Sequence, residues 1–261
     1  MLNASNITFR AGGRELISDI SVAFDPGKLH LIVGPNGAGK STLIKLLAGY
    51  LRPESGSVEY TGTAVSKITE ADLAKMRAVL SQAFESAFPL GVREVVMMGR
   101  YPHFGGRPGP VDEGIVDELM EFFDIAEFNG RNFQTLSGGE RQRVNFARVL
   151  AQLWQPSDEH SDCRYLFLDE PLTFLDIRHQ LDFMKKIRRF TAAPDVVTIG
   201  VVHDLNLAAR FADQIVVLNN GRCVAAGTPT EVLTTEIIRN VFEVEPMFIP
   251  VEGSGVHIVL D

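Results

Sequence analysis

Residues 28–48 read KLHLIV, GPNGAGKST and LIKLLA in succession. An apolar run of strand length leads into a glycine-rich segment, and apolar residues at helical spacing follow it. The nine middle residues fit the pattern G-x-x-x-x-G-K-[ST], in which glycines let several backbone N–H groups point at one anion. The positive end of the helix dipole adds to that attraction. This stretch predicts a phosphate-binding loop between a buried strand and a helix.

Every residue of the glycine-rich segment is a candidate phosphate contact. Lys40 has the length and charge to reach the outer phosphates, and the Ser41 hydroxyl is a candidate ligand for Mg²⁺. The backbone around these two side chains supplies the other contacts. The candidate phosphate-binding residues are Gly34, Pro35, Asn36, Gly37, Ala38, Gly39, Lys40, Ser41 and Thr42.

An acidic pair ends a second apolar run. Residues 165–170 read YLFLDE, so Asp169 and Glu170 follow a predicted buried strand. In an open α/β sheet the carboxyl ends of parallel strands meet at one edge, where a phosphate loop also lies. We therefore expect Asp169 to help hold the magnesium ion and Glu170 to polarise the water that attacks the outermost phosphate.

Short β-branched runs alternate with helical stretches, which predicts an α/β fold with a mostly parallel central sheet. Residues 2–10 and 20–24, with Gly12 and Gly13 between them, indicate an antiparallel hairpin edge, which we interpret as an N-terminal β subdomain. Residues 83–160 lose the strand signal and indicate an inserted helical subdomain. Residues 228–261 read as a short C-terminal extension of short helices and two closing strands. The whole chain, 1–261, is interpreted as one domain.

Composition argues against several classes of protein. The 261 residues carry 25 basic and 33 acidic side chains, a net charge of −8 that disfavours salt-driven nucleic-acid binding. No apolar run approaches the roughly 18–20 residues that cross a bilayer. The first residues lack the basic start and apolar stretch of a secretory signal. Cys163 and Cys223 form no Cys-x-x-Cys pair, which favours a reducing compartment.

A third motif points to a family. Residues 136–143 read LSGGERQR, in which Ser137, Gly138 and Gly139 open a helix and provide a second anion-binding N-terminus. This motif resembles the signature of ABC-type ATPases, and the remaining motifs occur in the order that this family shows. The resemblance covers essentially the whole chain. It implies a P-loop NTPase core that binds ATP with Mg²⁺ and hydrolyses the ATP.

The resemblance implies roles for three further residues. His203 matches the switch histidine, which contacts the γ-phosphate and supports the attacking water. Gln82 matches the glutamine that touches Mg²⁺ and links the catalytic core to the helical insertion. Asp176 matches the aspartate of the loop that crosses the dimer interface. The family pattern is a head-to-tail homodimer, in which each signature closes on the ATP held by the partner's phosphate loop.

Two positions depart from the family pattern. Ala11 stands where members often carry an aromatic side chain that stacks on adenine, so we expect a looser grip on the base or a grip by another residue. Residues 171–176 read PLTFLD, which is bulkier than the more frequent small-residue version. This second departure bears on packing at the dimer interface and not on the hydrolysis chemistry.

Within the family, the chain resembles the ATP-binding subunits of importers for haem, ferric siderophores and vitamin B12. Three features favour the ATP-binding subunit of a transporter. The insertion leaves no room for a long coiled coil, and a single motif set occurs. Residues 87–90 (AFPL) either offer an apolar rim for a partner's helix or pack inside the chain. Residues 92–103 (VREVVMMGRYPH) are similar to this importer group. Residues 147–154 (ARVLAQLW), followed by a polar loop, are most similar to the haem branch.

The resemblance implies haem import through a two-copy transmembrane permease, and indirectly a periplasmic or surface haem-binding protein. It implies a peripheral location on the cytoplasmic face of the bacterial inner membrane, with no nucleic-acid partner. Import of a ferric siderophore or cobalamin is the alternative cargo, and a non-transport ABC ATPase is the alternative class. His160 and Cys163 lie close in sequence, but a polar loop without a Cys-x-x-Cys-His motif predicts a surface segment and no haem ligation.

Overall fold

The computed structural model describes residues 1–81, 88–155, 163–173, 175–251 and 255–260. Its strands are β1 (Leu2–Ala11), β2 (Arg14–Phe24), β3 (Lys28–Val33), β4 (Ser55–Tyr60), β5 (Thr63–Ala64), β6 (Arg77–Leu80), β7 (Arg164–Asp169), β8 (Val196–Val201), β9 (Gln214–Asn219), β10 (Arg222–Gly227), β11 (Pro246–Val251) and β12 (Gly255–Leu260). Its α-helices are α1 (Lys40–Leu47), α2 (Glu70–Met76), α3 (Val92–Met97), α4 (Pro110–Phe122), α5 (Gly138–Ala151), α6 (Ile177–Thr191), α7 (Leu205–Phe211), α8 (Pro229–Val232) and α9 (Thr235–Phe242).

The central sheet has the order β10-β9-β3-β8-β7-β6. Its strand pairs are parallel except for β9 with β10, which is antiparallel. The predicted α/β fold with a mostly parallel central sheet is confirmed. Because β3, β8 and β7 are neighbours, their carboxyl ends lie side by side, and the residues that follow these strands are brought to one edge.

The N-terminal strands form a separate antiparallel sheet of order β2-β1-β4-β5, which confirms the predicted β subdomain. Gly12 and Gly13 make the turn between β1 and β2 with φ of +56° and +74°, a conformation that glycine adopts most readily. The sheet is larger than the predicted hairpin, because β4, which follows α1 in the chain, also pairs with β1.

The central sheet is buried on both faces, which explains its continuous apolar runs. Leu31 and Leu168 pack on the face that meets α5, α6 and α7. Ile32 and Phe167 pack on the opposite face, against α1 and the N-terminal sheet. Alternate residues of the same strand thus belong to different cores, as the two-residue period of a strand requires.

Helices α3, α4 and α5, with short 3₁₀ turns, occupy the described part of the insertion, so the predicted helical subdomain is present. Its limits at residues 83 and 160 lie outside the described residues and stay a prediction. After residue 228 come α8, α9 and the hairpin of β11 with β12. Nowhere in the described part of the chain is a helix both long and apolar enough to cross a membrane.

A buried ion pair joins elements of the insertion. Arg100, on the 3₁₀ turn after α3, is 5% exposed, and its Nε donates to Asp112 Oδ1 at 3.0 Å. Its Nη1 donates to the carbonyls of Ala151 and Trp154 at 2.8 and 2.9 Å. Arg100 thus ties the start of α4 to the end of α5, where the last carbonyls have no partner within the helix.

We expect Arg100→Met to lower the free energy of unfolding by about 3–5 kcal/mol, because it leaves a buried carboxylate without its cation. Arg10→Met is the matched control, since the Arg10 side chain is 57% exposed beside Glu15 and such pairs contribute about 0–1 kcal/mol. Urea denaturation followed by circular dichroism measures both variants. Equal midpoints for Arg100→Met and the wild-type chain would contradict this role.

Candidate functional site

The phosphate loop, residues 34–42, connects β3 to α1 at the edge where the parallel strands end. Two of its glycines are required by close backbone contacts. A Cβ on Gly34 would lie 2.2 Å from the Leu218 carbonyl oxygen, and one on Gly39 would lie 2.7 Å from that of Leu16. Gly39 also caps α1 with a left-handed φ of +99°, which is costly for residues with a Cβ. The loop is therefore packed tightly against its neighbours.

Lys40 is buried inside this loop. The residue is 6% exposed, and its Nζ donates to the carbonyls of Gly34 and Pro35 at 2.8 and 2.9 Å. Burial lowers the pKa of Lys40, and the carboxylates of Glu170 and Asp169 oppose that effect. A positive charge is thus held beside the N-terminus of α1, an arrangement suited to phosphate.

Ser41 and Asp169 meet although they are far apart in sequence. The Ser41 Oγ donates to Asp169 Oδ1 at 2.8 Å, and Asp169 ends β7 in register with Val201 of β8. Burial raises the pKa of Asp169, and the charge of Glu170 adds to the rise, while the bond from Ser41 opposes it. Both groups offer oxygen, which Mg²⁺ prefers, so this pair of donors fits the predicted ion.

Glu170 follows Asp169 with a left-handed φ of +53°, a conformation that costs a residue with a Cβ on the order of 1–2 kcal/mol. His203 follows β8, and its Nε2 lies 2.8 Å from Glu170 Oε1. The Glu170 side chain is 31% exposed and the His203 side chain is 49% exposed. Both line a cavity of about 240 Å³. A carboxylate and an imidazole in hydrogen-bond contact are therefore open to water.

The N-terminus of α5 is capped by Ser137. The Ser137 hydroxyl accepts from the Glu140 N–H at 3.4 Å, and the Glu140 carboxylate accepts from the Ser137 N–H at 2.6 Å. Gly138 and Gly139 begin the helix, and a Cβ on either would meet no atom within 4 Å. Packing inside this chain therefore does not require glycine at these positions, and the helix end stays open to an outside group.

Asp176 caps α6 at the surface. Its Oδ1 accepts from the His179 N–H at 2.9 Å and lies 2.8 Å from His179 Nδ1. These bonds hold the pKa of the Asp176 carboxyl below its usual value. The next residue, Ile177, is 77% exposed, so a charged and an apolar side chain lie together at this helix end.

The structure separates the candidate residues into two groups. Lys40, Ser41, Asp169, Glu170 and His203 meet at one edge of the central sheet. Within the described ranges, no hydrogen bond or ion pair joins the signature residues 137–139 or the cap of α6 to the phosphate loop. Gln82 lies outside the described residues, shortly after the end of β6.

Ala11 is exposed at the end of β1 opposite Arg14, beside the glycine turn. Cys163 is half-buried, and His160 lies outside the described residues. In the part of the chain that the structure describes, no group of three or more histidine, cysteine, aspartate or glutamate side chains is arranged to hold a metal ion.

Two glutamines, to which no sequence motif assigned a role, hold the loop after Glu170. Gln142 Nε2 donates to the Pro171 carbonyl at 3.2 Å, and Gln180 Nε2 donates to the Leu175 carbonyl at 3.0 Å. Gln142 lies within the LSGGERQR motif, about one turn beyond the cap of α5. That position was the signal in the sequence that could have marked it as a functional residue.

Comparison with known proteins gives matches over nearly the whole chain. Residues 17–173 match the family model of the ABC transporter. The hemin import ATP-binding protein HmuV of Agrobacterium fabrum is 43% identical over 93% of this chain and 91% of its own length. The protein of the same name from Rhodopseudomonas palustris (strain BisA53) is 45% identical over 94% of this chain and 88% of its own length.

Solved structures share the fold. A metal-chelate type ABC transporter in an inward-facing conformation superposes with a TM-score of 0.82 at 24% identity, over 100% of this chain and 96% of that chain. An ATP-binding cassette of an ABC transporter in its ADP conformation gives a TM-score of 0.75 at 22% identity, over 93% of this chain and 98% of that chain. The family match and the length shared with the relatives show that this chain belongs to the ABC transporter family.

Proposed function

We propose that this chain is the ATP-hydrolysing subunit of an importer that takes up hemin through a separate membrane permease. The observation that carries the proposal is the meeting of Lys40, Ser41, Asp169, Glu170 and His203 at the ends of three neighbouring strands. The cargo is supported by relatives at 43% and 45% identity that are named hemin import ATP-binding proteins.

The phosphates of ATP fit the loop of residues 34–42. Lys40 Nζ exchanges its two carbonyl acceptors for phosphate oxygens, while the backbone N–H groups at the start of α1 donate to the same anion. Ser41 and Asp169 would hold Mg²⁺, with Gln82 as the third expected ligand. The ion would supply positive charge that offsets the negative charge of the phosphates.

Glu170 acts as the general base. Its carboxylate accepts a proton from water as the water oxygen bonds to the γ-phosphorus, and the bond to the bridging oxygen breaks to leave ADP. His203 Nε2, at 2.8 Å from Glu170 Oε1, orients the carboxylate and stands beside the γ-phosphate. The exposure of both side chains lets the attacking water enter.

A second copy completes each ATP site in this proposal. The open N-terminus of α5, formed by Ser137, Gly138 and Gly139, has space for an anion that its own chain does not supply. Closing on the ATP held by a partner would satisfy its free N–H groups. Asp176 and the exposed Ile177 lie at the end of the loop that crosses this interface.

The permease docks on the helical insertion in this proposal. Phe88 is 73% exposed and Tyr101 is 58% exposed, whereas Leu90 packs against the core. Ala87, the first residue of the predicted rim, lies outside the described residues. Exposed aromatic side chains of this kind suit contact with a partner's helix. The chain then lies peripherally on the cytoplasmic face of the membrane, and a haem-binding protein reaches it only through the permease.

The cargo is tested by purifying the chain with its permease and measuring ATP hydrolysis in liposomes. Hemin, a ferric siderophore and cobalamin are added in turn, each with its own binding protein. We expect hemin to stimulate hydrolysis and the other two to leave it at the basal rate. Glu170→Gln is the matched control, because loss of the base is expected to lower turnover by about 10²- to 10⁴-fold while the complex stays assembled.

Two outcomes would contradict the proposed function. Stimulation by the ferric siderophore or by cobalamin, with no response to hemin, would reassign the cargo. Failure to purify with any membrane protein, together with stable association with DNA or ribosomes, would place the chain in the non-transport class.

The buried charge of Asp169 predicts a gain of stability on its removal. Burial raises the pKa of Asp169, so the ionised carboxylate lowers the stability of the folded chain above that pKa. As pH falls, the carboxylate is protonated and the lost stability returns. We expect Asp169→Asn to unfold at higher urea than the wild type at pH 7, with the difference vanishing at acidic pH. Hydrolysis is expected to fall by about 10–100-fold, since a metal contact is lost.

Glu231→Gln is the control for which we expect the opposite change in stability. Hydrogen bonds from Thr228 lower the pKa of Glu231, so the ionised form contributes stability at pH 7 that is lost as pH falls. This variant should unfold at lower urea than the wild type at pH 7. An Asp169→Asn variant no more stable than the wild type at pH 7 would contradict the account of the buried carboxylate.

A further inference from the structure

The described backbone of the loop between β7 and α6 is held by its own backbone hydrogen bonds and by side chains of the loop and of α6. Thr173 Oγ1 donates to the Glu170 carbonyl at 3.1 Å, and Gln180 Nε2 donates to the Leu175 carbonyl at 3.0 Å. The Pro171 carbonyl differs, because its donor comes from the helical insertion. Among the described residues, this is the side-chain hydrogen bond that joins the insertion to the loop.

The donor to Pro171 is Gln142, in the second turn of α5. Its Nε2 lies 3.2 Å from the Pro171 carbonyl oxygen, and Pro171 is buried. Pro171 directly follows Glu170, whose left-handed backbone is strained. Strained conformations persist only where the surroundings hold them. The bond from Gln142 therefore restrains the peptide next to Glu170. The strained backbone of Glu170 in turn sets the direction of its carboxylate.

Gln142 belongs to the same continuous helix as the open end at Ser137. The far end of α5 is held by Arg100 and His103, whose side chains contact its last carbonyls at 2.8 Å each. Because close-packed interiors transmit strain, a displacement at one end of this helix reaches the side chains along it. A shift at Ser137 is thus passed on to Gln142.

We propose that Gln142 is a positioning residue that couples the two ATP sites of the dimer. The inference rests on the proposed function, since it requires the open end of α5 to close on ATP held by a second copy. When that end is engaged, α5 is fixed, and Gln142 holds the Pro171 carbonyl and so orients Glu170 in its own site. ATP bound by one copy thereby prepares the base of the other.

The test is the ATP dependence of hydrolysis by the full chain in complex with its permease. Gln142→Met keeps the length of the side chain and removes the donor. We expect kcat to fall by about 2- to 10-fold, the effect of one neutral hydrogen bond. We expect the Hill coefficient for ATP to fall from above one in the wild type to near one, with KM unchanged.

Two variants separate coupling from damage to the loop. Gln142→Lys restores a donor and is expected to recover a Hill coefficient above one. Gln180→Met removes a donor to the same loop from α6, so it should lower kcat and keep the Hill coefficient of the wild type. A wild-type Hill coefficient in Gln142→Met, or an equal loss in Gln180→Met, would overturn the inference.

Dimer formation distinguishes this inference from the proposed function. With ATP, Glu170→Gln is expected to give a trapped dimer by light scattering, and Glu170→Gln with Gln142→Met should give the same dimer. A monomer in both would contradict the proposed dimer itself. A dimer in the first variant alone would overturn the positioning role, because Gln142 would then be needed for assembly.

Discussion

The parallel pairing of β3, β8 and β7 is the constraint on which the site depends. It sets the phosphate loop, the Asp169–Glu170 pair and His203 at neighbouring strand ends, so residues far apart in sequence come within hydrogen-bond distance. The arrangement has a cost, since burial disfavours the charged forms of both Lys40 and Asp169. Phosphates and a divalent cation would offset that cost, because each supplies the opposite charge.

The same chain carries groups that its own site does not use. The N-terminus of α5 is open, its first two residues are glycines that nothing nearby requires, and its far end is fixed by Arg100. From the second turn of the same helix, Gln142 donates to the Pro171 carbonyl beside Glu170. The proposed coupling of the two ATP sites depends on this contact.

Local patterns predicted the fold better than they predicted long-range contacts. The phosphate loop, the mostly parallel sheet and the helical insertion could be read from glycine spacing and apolar periodicity, because these depend on neighbours in sequence. The roles of His203 and Asp176 came from the family resemblance, since a lone polar residue after a strand has many uses. The pairing of β4 with β1, the Arg100–Asp112 pair and the Gln142 contact depend on tertiary packing, which no periodicity records.

The central claim is that each ATP is held between the phosphate loop of one copy and the open end of α5 of another. Disulfide formation between Asn36→Cys in one pool and Ser137→Cys in a second pool tests it directly. Both pools carry Glu170→Gln, Cys163→Ser and Cys223→Ser, and a disulfide requires Cα atoms within about 7 Å. The account predicts a link between the two pools that forms with Mg²⁺ and ATP and not without them. A link that ignores ATP, or no link when ATP is bound, would contradict it.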